Sequence, residues 1–139
     1  MDIKVDFTDL VIKTDRLVLR AFRDSDLEDF FEYAKIPGLG EMAGWPHHEN
    51  LDYTREVLER FKKNKNVLAI EMDGKVIGSI VLRPVDEDFY KEFEGKKAKE
   101  IGFVLSPAYH RQKIMTEAVK ALMKYAFEEL GLDYISAGY

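Results

Sequence analysis

Tyr109 to Thr116 reads Tyr-His-Arg-Gln-Lys-Ile-Met-Thr, and of the whole chain this stretch is the best suited to hold an anion. It follows a strand-like run, Glu100 to Leu105, that Ser106-Pro107 stops, and it precedes a long amphipathic run. A helix start presents unpaired backbone N–H groups and a partial positive charge. Those two features together bind phosphate groups. Arg111 and Lys113 add formal charge in the same turn, which suits a pyrophosphate. The same spacing also describes a solvated connector in many α/β folds, and on pattern alone the two readings stand level.

Other chemistry is narrower. The chain has no cysteine, which excludes disulfides, thiolate catalysis and Cys-based zinc sites. His47 and His48 are adjacent, and adjacent residues rarely share one metal, so no metal site is expected. Trp45 beside Pro46 reads as a packing anchor or as a pocket wall. His48 reads as a loop histidine or a proton shuttle. Tyr109 and Tyr139 are phenols that could donate, or half-buried aromatics at element ends. Asp86-Glu87-Asp88 with Glu92 and Glu94 could attract a cationic amine, or form a solvated loop.

The chain that must position these groups has 139 residues, enough for one domain with a single core. Hydrophobic residues make up 46% and charged residues 34%, a globular balance. A net charge of -5 repels phosphate backbones, so nucleic acid is not the expected partner. No apolar run approaches the roughly 20 residues that span a bilayer, and Met1-Asp2-Ile3-Lys4 lacks a signal pattern. A cytoplasmic protein without membrane contact is expected.

Residues 16–22 alternate as a strand, with Leu17, Leu19 and Ala21 on one face. Ser25 and Glu28 are spaced as a capping box for a helix with Leu27, Phe30, Phe31 and Ala34 on its apolar stripe. Pro37-Gly38 ends it, and Gly40 to Glu49 reads as a loop. Asn50 caps a second helix with Val57, Leu58 and Phe61 inward, and Lys62, Lys63 and Lys65 suit its C-terminal end. Val67–Met72 and Lys75–Leu82 form a hairpin about Asp73-Gly74. Residues 84–98 read as a long loop or wide turn. The last helix carries Met115, Ala118, Val119, Leu122, Met123, Ala126, Phe127 and Leu130 at helical spacing, and Gly131 closes it. Asp133 to Tyr139 starts a final strand. The expected class is α/β, a mixed central sheet flanked by helices.

Four segments, in order, resemble the GNAT acetyltransferases, in the branch similar to ribosomal-protein N-terminal acetyltransferases. They are Thr14-Asp15-Arg16-Leu17-Val18-Leu19-Arg20, Gly44-Trp45-Pro46-His47-His48, Glu100-Ile101-Gly102-Phe103-Val104-Leu105-Ser106-Pro107, and Tyr109 to Val119. The likeness covers nearly everything from Asp9 onward. It implies acetyl-CoA as co-substrate and a small-molecule amine or a protein N-terminus as acceptor. The backbone of Phe103, Val104 and Leu105 would pair with the pantetheine arm like an added strand. His110, Arg111, Gln112, Lys113, Ile114, Met115 and Thr116 would hold the pyrophosphate. Glu100 would be the catalytic base, acting through a water, unless it is simply a salt-bridged strand end. Trp45 and His48 would line the acceptor pocket.

Two departures stand out. Lys113 occupies a position where the family has glycine, which lets backbone approach phosphate closely. The family fold also continues with a further helix and two strands, so the chain reads as a single, C-terminally short GNAT-like domain, and a homodimer covering the open sheet edge is expected. The competing expectation is a degenerate, non-catalytic GNAT-like module that acts in binding or dimerisation.

Overall fold

The computed structural model describes residues 5–42, 45–84 and 97–137. The elements run β1 (Val11–Lys13), β2 (Leu17–Ala21), α1 (Leu27–Ala34), α2 (Leu39–Met42), α3 (Leu51–Asn64), β3 (Val67–Met72), β4 (Lys75–Pro84), β5 (Ala98–Leu105), α4 (Ile114–Glu128) and β6 (Tyr134–Ala137). The strands form one sheet in the order β1-β2-β3-β4-β5-β6. Every neighbouring pair is antiparallel except β5 and β6, which α4 joins as a parallel crossover. The expected α/β architecture is therefore present. β1 and α2, each short, have no counterpart in the sequence reading.

The period-2 alternation of the strands sorts two cores onto the two faces. Leu17, Leu19, Leu68, Ile70, Ile80, Leu82, Ile101 and Leu105 pack with Ile114, Ala118, Leu122 and Ala126 of α4. Val67, Ala69, Val76 and Val104 pack on the opposite face with Phe30, Tyr33 and Ala34 of α1 and Leu58 of α3. The expected inward residues Val57 and Phe61 are partly buried against this second core. Phe127, expected on the buried stripe of α4, is 41% exposed.

Local signals explain most boundaries. Asn50 accepts the Tyr53 N–H at 2.8 Å and starts α3. Asp73 (φ 53°) and Gly74 (φ 80°) give the two left-handed residues that a tight hairpin needs. The start of α1 differs from expectation. Ser25 lies within a 3-10 turn, Asp24–Asp26, and Asp26 accepts the Arg23 N–H at 2.7 Å. The reason is a buried ion pair. Asp26 also takes both Arg20 nitrogens at 2.8 and 2.9 Å, and Arg20 reaches on to Glu71. Arg20 and Asp26 are 5% and 4% exposed, so pairing outranks the Ser25 cap.

The β4–β5 seam positions the site. Gly78 pairs with Leu105 and Ser79 with Val104, while Ser106 donates to the Ile77 carbonyl at 2.7 Å. Antiparallel alternation then turns the main-chain groups of Val104 toward β4 and those of Phe103 and Leu105 away from it. β6 pairs with Ala98 to Ile101, and no described strand pairs with Phe103 or Leu105 on the outer side. A β-carbon on Gly78 would fall 2.3 Å from the Val104 carbonyl oxygen, so glycine is required for this close approach.

A second anchor aligns α4. Glu117, in its first turn, accepts from the Thr14 hydroxyl, from the Arg16 N–H at 3.1 Å and from the Arg16 Nε at 2.8 Å. Burial raises the Glu117 pKa, but the bonds from Thr14 and Arg16 outweigh it and hold the carboxyl below its ordinary value.

Candidate active site

A cleft of about 970 Å³ runs along the β4–β5 seam. At one end it is lined by Tyr109, His110, Arg111, Lys113, Ile114, Met115 and Thr116, in its middle by Phe103, Val104 and Leu105, and at the other end by Trp45 and Phe61.

The first end is built by backbone. Pro107–Tyr109 forms a 3-10 turn, and α4 starts at Ile114. Its first ladder bond is Glu117 N–H to the Lys113 carbonyl at 3.1 Å. The amides of Ile114, Met115 and Thr116 precede that ladder, and no side chain caps them. Such amides with Arg111 and Lys113 beside them fit a phosphate group. Arg111 (φ 66°) and Lys113 (φ 58°) are both left-handed, a conformation that costs a β-carbon-bearing residue about 1–2 kcal/mol. The loop thus keeps a glycine-type shape at Lys113, and Arg111 proves to be a second such position. His110 Nε2 lies 2.8 Å from the Leu105 carbonyl, the outward-facing group at the end of β5. Gln112 is exposed, bonds weakly back to the Ala108 carbonyl at 3.4 Å, and does not line the cleft.

The other end is partly as expected. Trp45 lines the cleft, with its ring against Gly40, where a β-carbon would fall 2.2 Å from it. His48 does not line the cleft. It is 3% exposed, its Nδ1 lies 2.8 Å from the Thr54 hydroxyl, and Phe30, Trp45 and Tyr53 surround the ring. Burial, with smaller contributions from Arg60 and His47, lowers its pKa to about 4, so it is neutral at pH 7. His47 pairs instead with Glu41 at 2.8 Å, and that contact holds Glu41 down at about 2.

Glu100 sits opposite Arg83 across the β4–β5 ladder, and its Oε1 is 3.1 Å from Arg83 Nη2. It reaches the cleft through that partner, because Arg83 and Gly102 line the cleft and Glu100 does not. Asn64, Asn66, Ser79 and Arg83 are lining residues that the sequence reading missed. The register that sets Arg83 against Glu100 could have flagged Arg83, but it spans a connector whose length hides it. Beneath Ser79 lies the fully buried Tyr33 phenol, which burial pushes upward in pKa and which makes no well-formed hydrogen bond. The acidic run 86–94, Gly44 and Tyr139 lie outside the described residues. Among the described residues, no group of three or more His, Asp or Glu could hold a metal ion. No helix of the described residues is long and apolar enough to cross a membrane.

A strand with an outward-facing main chain, an uncapped helix start and an adjoining cleft have the shape that an extended, phosphate-bearing molecule would fit. Comparisons with known proteins give the class. The profile described as "Acetyltransferase (GNAT) domain" matches residues 16–139. YnaD of Bacillus subtilis (strain 168), an uncharacterized N-acetyltransferase, is 32% identical over 134 residues, covering 91% of this chain and 71% of that protein. The crystal structure of a GNAT-family acetyltransferase from Bacillus anthracis superposes with a TM-score of 0.79 at 25% identity, over 92% of this chain and 72% of that one. RimL, a ribosomal L7/L12 alpha-N-protein acetyltransferase, shares the fold with a TM-score of 0.67 at 17% identity, over 91% and 70% of the two chains. The chain belongs to the GNAT acetyltransferase family and is, in class, an acyl-CoA-dependent acetyltransferase.

Proposed function

We propose that this chain moves an acetyl group from acetyl-CoA to a primary amine by direct attack. The observation that carries the reading is the continuity of the cleft from the amides that open α4, past Phe103 and Leu105, to Trp45 and Arg83. Acetyl-CoA, when bound, supplies a thioester carbonyl activated toward nucleophiles. The amides of Ile114 to Thr116, with Arg111 and Lys113, hold its phosphates. The outward main chain of Phe103 and Leu105 aligns the pantetheine arm, and His110 gives up the Leu105 carbonyl as the arm enters. Val104 contributes its side chain rather than its main chain.

The amine attacks only when neutral. An α-amine, with a pKa near 8, needs less help than a lysine near 10.4. As the N–C bond forms and the C–S bond breaks, the amine gives a proton to Glu100 and the departing thiolate takes one from solvent. Glu100 takes the amine proton through a water, held in place by Arg83.

The second reading, a non-catalytic GNAT-like module, draws on the side chains at both left-handed loop positions and on the occupied Leu105 carbonyl. A calorimetric titration with acetyl-CoA separates the two. Micromolar binding that weakens about tenfold in Lys113→Glu supports the transferase, by loss of a charge-assisted contact. No binding at millimolar ligand leaves only the module. A single GNAT-like domain in the cytoplasm, acting as a homodimer paired along the β6 edge, completes this reading, and sedimentation equilibrium tests the dimer.

A further inference from the structure

The acceptor end of the cleft has an unusual charge layout. Among the described lining residues no aspartate or glutamate appears, and the cation at this end is Arg83. Arg83 touches the cleft wall at Gly102, where a β-carbon would fall 2.5 Å from Nη2 and 2.9 Å from Cζ. Its Nη2 bonds Glu100, its Nε is buried without a partner, and the pair stays open, with side chains 42% and 27% exposed. A cation at the cleft wall with a partly exposed carboxylate paired to it just outside the lining matches a ligand whose own charges are adjacent and opposite. A simple alkylamine satisfies only one of them, and a diamine meets Arg83 with like charge.

We infer that the Arg83–Glu100 pair selects an α-amino acid as acceptor, with its carboxylate against Arg83 and its amine reaching Glu100 through a water. This rests on the transferase reading and names its substrate class. The transfer itself is unchanged: the N–C bond forms on the amino acid nitrogen, and the proton released goes to Glu100. Gly102 then becomes a specificity position, because it gives the guanidinium room to lie across β5.

The chain has one tryptophan, and Trp45 lines the cleft, so its fluorescence reports binding without turnover. The probes are L-alanine, ethylamine, alanine amide and dialanine. The expected result is an L-alanine affinity about tenfold or more above that of ethylamine, with the difference lost in Arg83→Gln. Gly102→Ala is a second variant, since its methyl meets the movable end of Arg83 most closely and a Val81 methyl at 3.1 Å, and it should reduce the same ratio. Circular dichroism checks that each variant folds. Equal affinities, a ratio intact in Arg83→Gln, or no response to any probe overturns the assignment. Tighter binding of dialanine than of L-alanine does so in favour of a peptide. Calorimetry with acetyl-CoA runs alongside. Absence of that binding removes the transferase reading, whereas an unselective cleft in a chain that binds acetyl-CoA removes only the amino acid.

Discussion

Replacing Glu117 by alanine tests whether the β1–β2 corner and the α4 start are one unit. The side chain accepts from Thr14, from the Arg16 backbone and from the Arg16 side chain. The first two are hydrogen bonds to a charged acceptor at a partly exposed position, about 1 kcal/mol each. The third is a surface pair, with Arg16 41% exposed, and adds a few tenths. Loss of an acidic group from the first turn costs about another half, and the better helix propensity of alanine returns about as much. The net loss is about 2 kcal/mol. For a chain of 139 residues that is a fall of about 7 °C in Tm, followed by circular dichroism. The pH dependence gives a second check. Because the folded pKa is depressed, the contribution is full above the ordinary carboxylate pKa and disappears as pH falls through the lower folded value. The gap between wild type and variant should therefore close in that acid range. A gap of a degree or less at neutral pH, or one that persists when Glu117 is protonated, would refute the reasoning.

Three more outcomes are expected. Asp26→Ala leaves the buried Arg20 with Glu71 as its remaining carboxylate and the Ala21 carbonyl beside it, and urea denaturation should show a loss of about 3 kcal/mol, at the lower end for a broken buried pair. His48 has a lowered pKa of about 4, so the unfolded chain binds its proton first and stability declines as pH drops from about 6.5 toward 4. NMR titration of the ring checks this, and a titration near 6.5 would contradict its burial. Lys113→Gly relieves a left-handed side chain but loosens the unfolded chain, so thermal melts should show a net gain of at most about 1 kcal/mol.

Periodicity made the sheet and helices legible where each face is cleanly divided. Val67–Met72 and the Asp73-Gly74 turn appear as read, because alternation and a left-handed turn pair are local signals. β1 escaped because three residues give too short an alternation, and Ser25 misled because a long-range ion pair, Arg20 with Asp26, outranked a local cap. The end of the cleft at the α4 start was legible for the same local reason, as it consists of consecutive residues. The far end was not. It is assembled from α3, the link that follows it and β4, so Asn64, Asn66 and Arg83 come together only through strand register. His48 looked like a surface loop residue because nothing nearby in sequence shows that Phe30 and Thr54 enclose it.

Gly78 has an implication for how wide the cleft can open. The Val104 carbonyl rests where a methyl would stand, so any larger residue would act as a shim between β4 and β5. Displacing β5 would shift the outward rail of Phe103 and Leu105 relative to the start of α4. The span from the start of α4 to the far wall of the cleft is thus calibrated by one missing side chain.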